Sequence, residues 1–394
     1  MSLADPSDVL AAVTHPDPYP FYSRLRAGPP LVYEPRLRLW IASRADVVHA
    51  ALMHAALRVR PETQPVPPAI AGQPAGALFG RLVRMNDGPA HDALKPLLRD
   101  ALAGVDEDAA RQAAAEAAAA LQAEALGLND WCVALPVCAV ASLLGFAPHQ
   151  WPALWRATRG FVAALSPLST AAQLQAASES ATRLLGCFDA GARDGAGCPA
   201  SPLAHLLEQA RIAPGEARQA LLANLAGLLS QTCEATAGLL GNGFVALSRE
   251  PGLYRGFTTG RIGADAIMAE VARHDPSTQN TRRFVTSGDD RVELAGTALR
   301  AGDTVLLVLA AASRDPVLWP EPDRFVVDRP ARALPGFGHG QHACPGQKLA
   351  LWIAGAALAL WRDGRHHPPP GSPPVLAHYR PSLNLRLPVF HDAG

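Results

Sequence analysis

The chain has little of what marks several classes of protein. Lysine occurs only at Lys95 and Lys348, and 35 basic residues balance 35 acidic ones, so the formal net charge is zero. The basic footprint of a nucleic-acid-binding protein is therefore missing. The six cysteines form no CxxC pair. We accordingly expect neither a zinc site nor a disulfide framework, and a reducing compartment.

The N-terminal residues lack a basic stretch followed by an apolar core, and no apolar run approaches the roughly 18 residues of a membrane span. We therefore expect a cytoplasmic protein with neither a membrane nor a nucleic acid as partner. The 394 residues are 49% hydrophobic and 18% charged. That composition is sufficient for a large hydrophobic core.

Hydrophobic patterning predicts a mostly α protein with small β-sheets. An apolar run at residues 218–247 exceeds the usual length of a globular helix and predicts a helix that crosses the core. The many prolines and glycines of residues 60–80 predict a long surface loop. The other expected elements are helices at residues 19–26, from 45, through most of 90–249 and at 347–361, and strands at 31–33, 37–41, 291–294 and 304–309.

The most informative segment is residues 337–346, which read FGHGQHACPG directly before the last apolar helix. Glycines let the backbone approach a flat ligand, and the N-terminus of a helix favours an anion. A thiolate at Cys344 fits this place, and thiolate ligation of haem iron pushes electron density onto the metal. The other five cysteines are expected to be buried small hydrophobic residues.

This loop matches the Phe-Gly-x-Gly-x-His-x-Cys-x-Gly signature at every fixed position, and the chain resembles the cytochrome P450 family over residues 18–390. Glu270 and Arg273 match the family's Glu-x-x-Arg pair, one turn apart on a helix. Arg324, in the run PEPDRF, is the expected third member of that cluster.

The resemblance implies an α+β fold, the family's triangular prism, as one domain over residues 1–394. It would hold haem b (iron protoporphyrin IX) between the long central helix and the cysteine loop. The helix-rich lobe is expected at about residues 85–275 and 340–365. The β-rich parts are expected at about residues 28–60, 276–310 and 370–392.

The resemblance also implies which residues bind the cofactor. Cys344 would hold the iron, with Phe337 and Gly346 as further members of the loop signature. Lys95 replaces the more usual arginine among the propionate partners and lacks its bidentate fork. The residues that match those propionate partners are His91, Lys95, Arg283 and His342.

The long central helix departs from the family pattern. Most members carry Ala-Gly-x-(Asp or Glu)-Thr, whose acid and hydroxyl help to deliver protons to oxygen. This chain keeps the acid as Glu234 but has Ala235 in place of the threonine, and alanine cannot donate a proton. Three explanations stay open: the substrate brings its own hydroxyl or amide, Thr232 or Thr236 stands in, or the reaction is not ordinary hydroxylation.

Pro345 is a second departure, because many members have a residue with an N–H directly after the cysteine. A missing donor near the sulfur would leave the thiolate more electron-donating and lower the potential of the iron. Alternatively, the proline simply starts the following helix.

The function implied by the resemblance is a soluble, bacterial-type monooxygenase that oxidises one small molecule with O2, in biosynthesis or catabolism. Electrons would come from an external ferredoxin and ferredoxin reductase, docked on a cationic patch of Arg99, Arg332 and Lys348. The polar run 277–282 favours a substrate with polar or anionic groups, unless these side chains face loops or propionates. The alternatives are peroxide-driven oxidation, coupling or desaturation, and a haem-binding member without catalysis.

Overall fold

The computed structural model of the chain describes residues 4–194, 201–286, 292–365 and 372–391. It confirms a mostly α protein with small sheets. Its helices are α1 Tyr19–Ala27, α2 Ala45–Met53, α3 Pro74–Arg81, α4 Pro89–Ala103, α5 Glu107–Leu121, α6 Leu128–Leu143, α7 Trp151–Val162, α8 Ala171–Asp194, α9 Pro202–Ile212, α10 Gly215–Arg249, α11 Pro251–Thr258, α12 Ala264–His274, α13 Leu309–Ser313 and α14 Gln347–Arg362. Its strands are β1 Leu31–Glu34, β2 Leu39–Ala42, β3 Leu57–Arg58, β4 Thr281–Val285, β5 Val292–Leu294, β6 Thr297–Leu299, β7 Thr304–Leu307, β8 Leu376–Tyr379 and β9 Pro388–Phe390.

The chain forms two compact units, and the first comprises Met1–Pro65, Ala269–Cys344 and His378–Pro388. Its five-stranded sheet has the order β1-β2-β7-β4-β3, in which β2 and β7 are parallel and the other pairs antiparallel. Side chains of the central strand β7 alternate between two cores. Val305 and Leu307 pack in the cluster that contains α2, and Leu306 packs in the cluster that contains α1. Both faces of β7 are therefore covered, as in a central strand.

The second unit comprises Val66–Met268, Pro345–Ala377 and Val389–Gly394 and is built of helices. The predicted long helix is α10, with 35 residues, and it is roughly 50 Å long at 1.5 Å per residue. It packs against α6, α7, α9 and α14. Buried alanines of α5 allow α6 and α14 to pack closely on that helix.

Two sequence expectations need correction or comment. The predicted loop at residues 60–80 contains α3, because Pro74 stands in its first turn, where a proline favours a helix start. One stretch, Gly340–Arg362, is long and apolar enough to cross a membrane by length and composition alone, a test that core helices also pass. Within it Ile353 and Leu358 are fully buried, and α14 packs on α5 and α10.

Candidate functional site

The cysteine loop runs through two short 3-10 turns, Pro335–Phe337 and Gly340–His342, before α14 begins. Gly338 and Gly340 have φ values of 71° and 66°, in the left-handed region that favours glycine. A Cβ atom on Gly340 would lie 2.8 Å from Met53 Sδ of α2. The Cys344 N–H donates to the Phe337 carbonyl oxygen at 2.8 Å. The backbone thus brings these two predicted site residues together.

Cys344 differs from the other described cysteines in its accessibility. Its side chain is exposed, whereas Cys132, Cys138 and Cys233 are buried. Burial raises the pKa of the Cys132 and Cys138 thiols, and it also raises that of the half-buried Cys187. These three thiols are therefore poor ligands. Cys198 lies outside the described residues.

Pro345 and Gly346 connect the cysteine to α14. Gly346 precedes the first helical residue, and a Cβ atom added there would meet nothing within 4 Å. Gly346 therefore differs from Gly340, where a side chain would collide with α2. Pro345 lies two positions before the helix starts, so it is not the first residue of α14.

The first unit also holds two of the predicted propionate partners. Arg283 lies on β4 opposite Val305 and is only 5% exposed. Its Nη1 donates to the Arg282 carbonyl oxygen at 2.9 Å. His342 is half-buried and ends the 3-10 turn just before Cys344. Such cationic and imidazole N–H groups are suitable partners for carboxylates.

The other two propionate candidates lie on α4 in the second unit. His91 is buried, with its Nδ1 2.9 Å from Asp92 Oδ1, and Lys95 is half-buried. Because they are four residues apart, they lie on one face of the helix. Together with the soft sulfur donor at an accessible loop, these residues fit a haem with two propionates.

A window of accessible surface interrupts the buried course of α10. From Leu221 to Val245 every residue is buried except Gln231, Thr232, Glu234 and Ala235. Thr236 is 3% exposed and belongs to the core. Of the two hydroxyls expected to replace the missing threonine, only Thr232 therefore lies in the window. We call these four residues the α10 window.

A neighbouring turn, Val83–Met85, is fixed on α10 by the buried Asn224. Its Oδ1 accepts from Val83 N at 2.7 Å, and its Nδ2 donates to Arg81 O at 2.8 Å. This turn carries Arg84, whose side chain keeps accessible surface. Surrounding protein lowers the pKa of the Arg84 guanidinium, and the Glu234 carboxylate opposes that shift. Nothing in the local sequence marks Arg84 as a site residue.

The expected charge cluster is present, but its third member is Arg329 and not Arg324. Arg273 donates to both oxygens of Glu270, at 2.8 and 2.6 Å, and Arg329 Nε lies 3.2 Å from Glu270 Oε1. The Arg324 side chain is 67% exposed and pairs with Glu321. Arg324 contributes only its carbonyl oxygen, which accepts from Arg273 and Arg329. A second arginine five residues after Arg324 was the available signal.

The polar run 277–282 is largely structural. Gln279 is fully buried, and its side-chain oxygen accepts from Tyr22 Oη at 3.2 Å. Asn280 donates to the Leu383 carbonyl oxygen at 2.9 Å. These side chains bind the N-terminal helix and the C-terminal segment, so they give no support to a polar substrate.

Relatives of known sequence agree with this geometry. The family model "Cytochrome P450" matches residues 264–361. Mycinamicin IV hydroxylase/epoxidase of Micromonospora griseorubida is 32% identical over 283 residues, which are 69% of this chain and 68% of that protein. Cytochrome P450 monooxygenase PikC of Streptomyces venezuelae is 37% identical over 126 residues, 32% of this chain. The chain spans about a third of the first curated relatives it matches, 30% of PikC and 36% of 20-oxo-5-O-mycaminosyltylactone 23-monooxygenase of Streptomyces fradiae.

Solved structures show the same fold over nearly the whole chain. The structure of CalO2 superposes with a TM-score of 0.81 at 22% identity, covering 99% of this chain and 98% of that one. The econazole-bound CYP164A2 of Mycobacterium smegmatis gives a TM-score of 0.73 at 27% identity, covering 98% and 97%. The chain belongs to the cytochrome P450 family, whose members hold a haem.

Proposed function

We propose that the chain is a haem-thiolate monooxygenase that oxidises a small organic molecule with O2. The observation that carries this proposal is the accessible Cys344 in a glycine-shaped loop. When bound, the haem, which we take to be haem b, supplies oxygen activation at an iron that a thiolate enriches in electron density. Cys344 donates that thiolate. His91, Lys95, Arg283 and His342 bind the two propionates, and Phe337 and Gly346 complete the loop.

The α10 window handles protons in this proposal. Glu234 holds and transfers a proton at its carboxylate, and the Thr232 hydroxyl orients a water beside it. Ala235 offers no hydrogen bond, and the burial of Thr236 weakens its candidacy as the substitute. A hydroxyl or amide of the substrate therefore remains the favoured replacement for the missing threonine.

The proposal is tested by the carbon monoxide spectrum of the reduced protein. The wild type should show the red-shifted thiolate band of the family, and Cys344→Ser should lose it. Cys187→Ser, at a half-buried cysteine outside the loop, is the matched control and should keep it. A haem protein that lacks the band in the wild type would contradict the proposal.

A second reaction is favoured by one observation, the alanine at position 235. Peroxide-driven oxidation, coupling or desaturation makes less demand on proton delivery from the helix. Turnover with peroxide alone that equals turnover with NADH, ferredoxin and reductase would favour this reaction over the first.

The partners that we propose are an external ferredoxin and its reductase, in the cytoplasm, and the substrate is a small molecule of secondary metabolism. The macrolide-related names of two relatives support that substrate class. Arg99 and Lys348 are exposed and suit an acidic partner, whereas Arg332 donates to the Leu318 carbonyl oxygen and stacks on Trp319. Association with ferredoxin should slow as salt rises, and a rate indifferent to ionic strength would contradict the patch.

A further inference from the structure

Arg84 belongs to neither the cysteine loop nor the propionate candidates, yet its backbone is held firmly on α10. Leu82 lies so close to the helix that a Cβ atom on Gly227 would be 2.7 Å from Leu82 Cδ2. Asn224, one turn earlier, binds the backbone on both sides of Leu82. The helix was therefore built to receive this turn at one fixed place.

The same geometry directs Arg84 toward the window. Gly227 and Glu234 are seven residues apart, so they lie on nearly the same face of the helix, about 10 Å apart along its axis. Arg84 follows Leu82 by two residues, and one step of turn plus an extended arginine side chain covers that distance. The interaction between Arg84 and Glu234 agrees with this placement.

The donors of Arg84 distinguish it from other enclosed arginines. Arg273, Arg314 and Arg386 each donate several hydrogen bonds to protein acceptors. Among the residues that the structure describes, Arg84 donates none and forms no ion pair within 4.0 Å. A guanidinium stays charged and presents a planar fork that matches a carboxylate. Protein encloses it, but its accessible surface shows that it lines a cavity.

We propose that Arg84 anchors a carboxylate-binding subsite beside the α10 window, so that this protein binds an organic acid there. The inference rests on the proposed function, because the window is the substrate side of a haem enzyme. Two carboxylates could supply the chemistry, that of an acidic substrate or a propionate of the haem. Glu234 competes for the same guanidinium, and its removal should therefore strengthen binding of the ligand.

The test uses the haem-loaded protein with decanoate and methyl decanoate as probes, titrated by the spin-state shift of the haem and by calorimetry. The wild type should prefer decanoate. Arg84→Gln should weaken decanoate binding at least about tenfold and leave the ester unchanged. Arg84→Lys should fall between them, and Glu234→Gln should tighten decanoate binding.

The matched control is Arg81→Gln, which removes an equal charge three residues away from an exposed pair with Glu216. It should change neither probe. Transfer of haem to apomyoglobin identifies the source of the carboxylate. Faster haem loss from Arg84→Gln, with unchanged probe preference, assigns the subsite to a propionate. Folding of each variant is checked by circular dichroism, with Arg84→Lys as the substitute if Arg84→Gln does not fold.

A single result overturns the inference: Arg84 variants that fold and alter neither decanoate affinity nor haem loss. The proposed function fails separately, because it depends on the thiolate band of the reduced carbon monoxide complex. Calorimetric decanoate binding that depends on Arg84 would stand even if that band were missing.

Discussion

Around Glu270, the carboxylate accepts hydrogen bonds from Arg273, Arg329 and the Val326 N–H, and its side chain is 3% exposed. Beside the α10 window, Arg84 and Glu234 both keep accessible surface, and the Arg84 donors have no acceptor among the described residues. Burying a charge is costly unless hydrogen bonds compensate. A charge that the chain satisfies completely holds the structure, whereas a charge with unused donors beside a cavity can bind a ligand.

The largest effect should come from breaking the Glu270 cluster. Glu270→Ala leaves two guanidinium groups near each other without their carboxylate, and it should lower the free energy of unfolding by about 3–5 kcal/mol. Denaturant titration measures this. Glu321→Ala, at the exposed partner of Arg324, is the control and should have little effect. Equal losses for both variants would contradict the structural role of Glu270.

A somewhat smaller effect distinguishes the two arginines of the Pro-rich segment. Arg329→Ala removes a hydrogen-bonded charge that is 11% exposed, and it should cost about 1.5–3 kcal/mol of stability. Arg324→Ala should leave the melting temperature nearly unchanged, because its side chain lies in solvent. The opposite order would restore Arg324 as the third member of the cluster.

The cysteine loop can be tested by its glycines. Gly340→Ala forces a side chain into a left-handed conformation and against Met53, and it should destabilise the protein by about 1–2 kcal/mol. Gly346→Ala meets no atom and should be nearly neutral in the same thermal unfolding experiment. If both are neutral, the loop does not lie on α2 as described.

The window, in contrast, should respond in function and not in stability. Ala235→Thr restores the family's hydroxyl. If the substrate supplies the missing group, the fraction of electrons that reaches product should stay unchanged or fall. A large gain in coupling would reject substrate assistance.

The smallest expected change is at Pro345. Replacing it by leucine adds an N–H beside the sulfur and should raise the reduction potential of the haem modestly. Spectroelectrochemical titration of wild type and Pro345→Leu measures the shift. An unchanged or lower potential would reject a tuning role for this proline.

Local sequence was sufficient for the fold class, the long helix and the cysteine loop, because a fixed pattern of glycines, histidine and cysteine carries the loop. The 100° step between helical residues also indicated that Thr236 leaves the face of Ala235. It could not show which of Thr232 and Thr236 the core buries, since that depends on the helices packed around α10.

Contacts between distant residues account for what was missed. The choice between Arg324 and Arg329 depends on how an irregular segment folds back on α12. The burial of Gln279 and Asn280 depends on the N-terminal helix and on residues more than a hundred positions later. Arg84 gains its position only through Asn224, which lies 141 residues beyond Val83 in the sequence.

The central claim is that Cys344 holds a haem iron, and iron X-ray absorption of the purified haem-loaded protein tests it most directly. The account predicts one sulfur scatterer in the first coordination sphere of the wild type and of Cys187→Ser, and its loss in Cys344→Ser. A wild-type iron with no sulfur ligand, or a sulfur that persists in Cys344→Ser, would contradict it.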